Sequence, residues 1–357
     1  MVKPRKDSTN AVANWVLIGL IMLFVQVILG GVTRLTGSGL SITEWNVITG
    51  TIPPLTDHQW EIEFAKYQQT PQFRLLNADF GLDDFKFIFF WEWFHRFWAR
   101  MVGVVFLAGF FYLLIRKKLR REMIRPLIIL FILGALQGAV GWLMVLSGLT
   151  GDALYVKPLR LALHFVFALG LICYTFWFWL KLRVRPEGTL AHRSLRNLSL
   201  IIIGFIFFQL IYGALMAGGK LANLAPTWPT INGDWVPDTL FDTHGIRAEL
   251  IENKIAVQFI HRGLAYLIFG LVLVWTLMAR KTSKNSFDLK NYRNLPLFMV
   301  CLQILLGIMT ILVSPDILAN YWVAFDWFAL LHQITGMLFL LVMVFIFYIL
   351  RVRRRSL

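Results

Sequence analysis

Eight long apolar runs dominate this 357-residue sequence, at roughly 14–35, 88–115, 124–146, 159–180, 198–218, 255–279, 295–314 and 327–350. Each is near the ~20 residues a helix needs to cross a ~30 Å hydrocarbon core. Lipid offers no partner to an unpaired backbone amide, so helices are expected; a β-barrel would show short alternating segments instead. The expected fold class is therefore an all-α polytopic membrane protein with eight transmembrane helices. A composition of 58% hydrophobic and 15% charged residues fits no soluble globular class. The first run, Trp15–Val32, is too long for the core of a signal peptide, and no small-x-small cleavage pattern follows it.

A net charge of +15 raises the question of nucleic acid, and the placement of that charge answers it. Of the 35 basic residues, 23 lie in alternate segments outside the runs: beside Lys3, Arg116–Arg125, Lys181–Arg196, Arg280–Arg293 and Arg351–Arg355. The intervening segments hold few. Basic loops on one side are topology signals, which puts both termini in the cytoplasm and makes the lipid bilayer, not nucleic acid, the partner. Cys173 and Cys301 both fall inside apolar runs and are read as small apolar fillers, with no disulfide framework.

The chain reads as a tandem duplication. Glu92-x-x-His95-Arg96 matches Gln258-x-x-His261-Arg262 at an offset of 166, and Gln137-x-x-x-Gly141 matches Gln303-x-x-x-Gly307 at the same offset. Gln26-x-x-x-Gly30 pairs with Gln209-x-x-x-Gly213 at 183, so the first outer loop is longer than its counterpart. Each half is then a four-helix unit, 1–180 and 181–357. Both start on the cytoplasmic side, which predicts two tandem four-helix bundles related by a pseudo-twofold along the membrane normal.

His95, His164, His261 and His332 occupy one apolar run each, five to seven residues past its outer end. At 1.5 Å per residue all four lie about 7–11 Å below the outer boundary. Two imidazoles at one level within each half are the donor set for six-coordinate haem iron. His58, His192 and His244 lie in loops without repeat partners and are read as solvated. Zinc sites usually cluster ligands at short spacing, and no His-x-x-His or Cys-x-x-Cys occurs. Quinol-oxidising cytochromes place two histidines on one helix, and no run here has two.

The halves differ chemically. Glu92 stands where Gln258 stands in the second half, one helical turn before a histidine and on its face. A carboxylate in lipid is costly unless it moves protons, stabilises charge, or pairs with Arg96 or Arg100. An amide cannot exchange protons, so the N-terminal half reads as reactive and the C-terminal half as an electron carrier. Arg96 and Arg262 are placed either to pair with haem propionates or to snorkel to the boundary. In the Gln-x-x-x-Gly pairs the glycine reads as room for a helix or a flat macrocycle to approach closely, and the glutamine as a bond across helices, with no catalytic role. In the outer loops, Trp60, Phe64 and Tyr67 at helical spacing predict a surface helix over 57–69. The Trp-Pro clusters of 219–254 predict ordered turns, as aromatic belt or as a lid.

Several motifs together resemble the haem A synthase family. They are Gly30-Gly-Val-Thr-Arg-Leu-Thr-Gly-Ser-Gly-Leu-Ser41, Glu44-Trp45, Pro53-Pro54, Lys66-Tyr-Gln-Gln69, Glu92-x-x-His95-Arg96, Thr227-Trp-Pro229 with Gly233-x-Trp235, and His261-Arg262. The resemblance covers essentially the whole chain. It implies an inner-membrane oxidoreductase that turns a methyl group of its substrate, haem O, into a formyl group, making haem A for terminal oxidases. It implies His95 and His164 at the substrate haem, His261 and His332 as ligands of a haem b, and Glu92 as the catalytic carboxylate. The first outer loop has no cysteine, which resembles the cysteine-free, mitochondrial-like subgroup. The partners implied are a haem O synthase delivering substrate and an electron donor, with a homo-oligomer left open. A non-catalytic dihaem b cytochrome is the main alternative. A duplicated transporter would need broken helices and a polar midplane site.

Overall fold

A helix that is apolar all round satisfies its backbone internally and leaves its side chains to lipid or to other helices. The sequence meets that condition eight times, and the computed structural model follows it. It describes residues 6–46, 49–184, 192–241, 245, 248–282, 287–317 and 322–350. His244 and basic residues at both ends and in two inner loops lie outside the described residues. The helices are α1 (Lys6–Leu35), α2 (Asp57–Gln68), α3 (Pro71–Leu76), α4 (Leu82–Ile115), α5 (Arg121–Leu146), α6 (Pro158–Arg183), α7 (Arg193–Gly218), α8 (Lys254–Thr282), α9 (Phe287–Tyr292), α10 (Leu295–Leu312) and α11 (Ala324–Ile349). Among the described residues eight helices are long and apolar enough to cross a membrane, and no strand occurs beyond one isolated bridge, Ile231 with Asp234.

Helix starts follow local chemistry. Thr56 caps α2 in a reciprocal box with Gln59. Asp84 accepts the Gly81 amide at 3.0 Å at the head of α4, and Asp326 accepts the Val323 amide at 2.9 Å before α11. Pro71, Pro158 and Pro296 sit in the first turn of α3, α6 and α10, where a missing N–H costs nothing.

The chain packs as two units, one built mainly on residues 14–172 and the other mainly on 173–317 and 323–350. In the second, α7 packs on α8, α8 on α10, α10 on α11 and α11 on α7, closing a ring of four helices. In the first, no two of α1, α4, α5 and α6 run as close along their backbones. Side chains bridge them instead: Trp15 Nε1 donates to the Val105 carbonyl at 3.2 Å, and Trp98 Nε1 to that of Met22 at 2.9 Å.

The loop between α1 and α4 is folded on an extension of α4. This helix begins at Leu82, a turn and a half before the apolar run suggests. Trp60, Phe64 and Tyr67 of α2 do lie on a helix, but their stripe packs against Phe85 of that extension and Phe89 just beyond it rather than facing a lipid surface. Lys66 on the opposite face pairs with Glu63 at 2.8 Å and Glu44 at 3.1 Å. The hydrogen bond that Lys66 donates to Glu63 raises the Lys66 pKa, and the one it donates to Glu44 lowers the Glu44 pKa.

Tyr67 is fully buried, accepts from Asn77 Nδ2 at 2.7 Å and donates to Gln72 Oε1 at 3.1 Å. Burial pushes its phenol up to about 12, so it remains a neutral donor at physiological pH. Tyr67→Phe keeps the aromatic packing and removes both bonds. It is expected to cost about 1–3 kcal/mol, because Asn77 loses its acceptor and Gln72 its donor. A thermal melt of the purified protein reads this as a Tm lower by several degrees; an unchanged Tm would mean the loop network adds nothing.

Candidate functional site

Each of the four membrane histidines meets the same two residues of a neighbouring helix. His95 on α4 lies against Gln26 and Gly30 of α1, and His164 on α6 against Gln137 and Gly141 of α5. His261 on α8 lies against Gln209 and Gly213 of α7, and His332 on α11 against Gln303 and Gly307 of α10. The glycine matters by what it lacks. A Cβ there would stand 3.1 Å from Cε1 of His95, 2.8 Å from that of His164, 3.3 Å from that of His261 and 2.9 Å from that of His332. Any side chain would push the imidazole away. The glutamine sits one turn earlier. Its Nε2 donates to the main-chain carbonyl of the histidine itself at 3.2 Å for Gln26, 3.1 Å for Gln137 and 3.0 Å for Gln303. Thus the Gln-x-x-x-Gly pairs, read from sequence as packing elements, are the histidine cradles. Their recurrence, one pair in the spanning helix before each histidine, carried that information.

His261 and His332 face one another with ring centroids 6.3 Å apart and planes 72° from parallel. Two imidazoles on opposite sides of one metal, each bonded at about 2 Å, have ring centres roughly 6 Å apart. His95 and His164 lie within electrostatic range of each other inside the first unit. All four are half-buried. Among the described residues no group of three or more histidine, cysteine or carboxylate side chains could hold a bare metal ion. A two-imidazole site suits a metal that brings its other ligands with it, as porphyrin iron does. The residues fit haem. The buried Oε1 atoms of Gln26, Gln137, Gln209 and Gln303 all lack a hydrogen-bond partner, as does Nδ1 of His261. Buried polar groups are normally satisfied, so these orphans mark where the protein alone is incomplete.

The two units diverge one turn before the histidines of α4 and α8. Glu92 is 2% exposed and pairs with Arg96 at 2.5 Å. Its other oxygen accepts from Ser41 Oγ at 2.7 Å and the Ile42 amide at 2.9 Å. Arg96 also donates to the carbonyls of Glu44 at 3.1 Å and Ile42 at 3.2 Å, and lies over the Trp45 ring at 5.2 Å. Carboxylate and guanidinium together clasp the segment that follows α1. In the second unit Gln258, fully buried, donates to the Leu221 carbonyl at 2.6 Å and accepts from Arg262 at 2.7 Å. Arg262 donates to the carbonyls of Ala225, Thr227 and Thr230 at 2.8, 2.8 and 3.1 Å. The two arginines therefore hold the loops that follow α1 and α7. Ser41 and the Ile42 amide went unassigned at the sequence level; only the position of Ser41 inside the Gly30–Ser41 motif pointed to it.

The remaining histidines lie apart from these cradles. His58 is exposed, but on helix α2 rather than in a loop. His192 is half-buried and caps α7, Nδ1 accepting the Leu195 amide at 3.2 Å. Cys173 and Cys301 are free thiols within α6 and α10.

The sequence profile of the family described as "Cytochrome oxidase assembly protein" matches residues 13–344. The chain belongs to that family. Similar members include proteins named "Heme A synthase". The one from Flavobacterium psychrophilum is 40% identical over 330 residues, 91% of this chain and 94% of its own length. That from Flavobacterium johnsoniae is 37% identical over 345 residues, covering 95% and 98%. That from Paracoccus denitrificans is 40% identical over 319 residues, covering 87% and 83%. Both Glu92-x-x-His95 and Gln258-x-x-His261 fall within the span of this family member that the profile matches.

Proposed function

We propose that this chain is a haem A synthase, a multi-pass membrane oxidoreductase that converts a methyl substituent of haem O into a formyl group. Family membership supports the activity. The observation that carries the assignment of residues is the pair of matched histidine sites that differ one turn away, Glu92 in one and Gln258 in the other.

In this reading residues 1–180 form the substrate half and 181–357 the carrier half, two four-helix units that arose by duplication. His95 and His164 hold the substrate haem; His261 and His332 hold a resident haem b. Haem b, when bound there, supplies one-electron transfer. The wider spacing of α1, α4, α5 and α6 suits a substrate that must enter and leave, and the closed ring of α7, α8, α10 and α11 suits a group that stays. Glu92 holds or passes a proton, or balances charge, beside the reacting haem. Arg96 and Arg262 put positive charge at the outer end of each site, where propionates would be matched, while their loop bonds shield the sites from water. Both termini are cytoplasmic and the haem sites lie towards the outer face. Haem O arrives from the enzyme class that attaches its isoprenoid chain, and a separate electron donor serves the carrier half.

Co-expression with a haem O source, followed by pyridine haemochrome analysis of the purified protein, tests the activity. A synthase yields haem A together with b-type haem. A dihaem carrier yields b-type haem alone, and that result would overturn the proposal.

A further inference from the structure

An imidazole that ligates iron through Nε2 carries its proton on Nδ1 and needs an acceptor there, which fixes the tautomer and the ring direction. In the second unit that acceptor is already in place. His332 Nδ1 lies 3.1 Å from the main-chain carbonyl oxygen of Gln303. A helical carbonyl is normally hidden from a neighbouring helix by the side chain four residues on, which stands over it on the same face. Here that residue is Gly307, whose absent Cβ would meet His332 Cε1 at 2.9 Å.

We propose that each Gln-x-x-x-Gly pair is a main-chain proton acceptor for a ligand histidine. The glycine opens the carbonyl of the glutamine four residues earlier, and that carbonyl takes the Nδ1 proton and turns Nε2 towards the iron. The glutamine side chain is a brace: its Nε2 donates to the histidine's own carbonyl at 3.0 Å and lies 3.1 Å from Nδ1 and 3.3 Å from Nε2 of the ring. This inference rests on the axial-ligand reading above. The state seen at His261 sharpens it. Its Nδ1 is buried without a partner, and the glycine beside it, Gly213, leaves a slightly wider gap of 3.3 Å to Cε1. Haem seated against Nε2 brings that ring to the Gln209 carbonyl as His332 already lies on that of Gln303. The pairs Gln26 with Gly30 and Gln137 with Gly141 place His95 and His164 alike. Gly307, Gly213 and the carbonyls they uncover are positioning elements, not catalytic residues.

The test is redox titration of the purified, haem-loaded protein, with haem content read by pyridine haemochrome. A proton shared with a carbonyl makes imidazole more electron-donating and favours ferric iron. Gly307→Ala displaces the ring from the Gln303 carbonyl. It should shift the haem b equilibrium towards ferrous about tenfold, about 59 mV upward for a one-electron couple. Gln303→Leu keeps the main-chain carbonyl and should leave the potential near that of the wild type. Gly213→Ala, with more room, should move it in the same direction by less, and decides the matter if Gly307→Ala loses its haem. Haem retained at unchanged potential in both glycine variants overturns the inference. So does a shift in Gln303→Leu as large as in the glycine variant, since the side chain would then be the acceptor. Failure of the underlying reading looks different: a wild-type protein without b-type haem, or a His332→Ala variant that keeps it in six-coordinate form.

Discussion

Glu92→Gln is expected to lower haem A output by about 10²–10⁴-fold, the usual contribution of a positioned proton-transfer group. Bound b-type haem should stay at the wild-type level. The substitution preserves size and removes only the ability to exchange a proton and to carry charge. It does not leave the local bonds untouched, and the structure says how. One Glu92 oxygen faces the Arg96 guanidinium and the other faces two donors, Ser41 Oγ and the Ile42 amide. An amide nitrogen on either side meets donors only, so at least one bond is lost, at about 1–3 kcal/mol. Gln258 shows the contrast: there the loop presents the Leu221 carbonyl, and an amide fits. The first loop is built for a carboxylate. A second variant separates loop from chemistry. Ser41→Ala weakens the clasp but keeps the charge, and should reduce output far less than Glu92→Gln. Normal haem A output from Glu92→Gln would remove Glu92 from the mechanism.

If His261 and His332 hold a haem b as proposed, His261→Ala is expected to abolish its six-coordinate form and, with it, haem A formation. His261 and His332 stand 6.3 Å apart, centre to centre, and no other histidine of the described chain shares their ring of four helices at that level. With one imidazole gone, the iron has no second axial donor. Low-spin absorption of the b-type haem should disappear from the reduced spectrum. His95→Ala should leave that spectrum intact while output still falls, because the proposed function puts its imidazole in the substrate half. Loss of b-type haem in the His95 variant and its survival in the His261 variant would reverse the assignment of the halves.

The sequence by itself determined the eight spanning helices, because length and apolar content decide what crosses lipid. It also determined the four matched histidines and the Glu92-for-Gln258 difference, because the motif recurs within the chain at an offset of 166. It could not show what each histidine touches. Helices that are apolar all round carry no periodic stripe to say which way they are turned about their axes. Only tertiary packing turns Gln303 and Gly307 towards His332, and Gln26 and Gly30 towards His95. The same limit applied to the outer loops. The aromatic stripe of α2 was legible as a helix, but its partner, the extension of α4, lies beyond any apolar run and was recruited by side-chain packing. Arg96 and Arg262 were legible as charges one residue past a histidine. That they clasp loop carbonyls followed only from where those loops return, a long-range matter that no local spacing encodes.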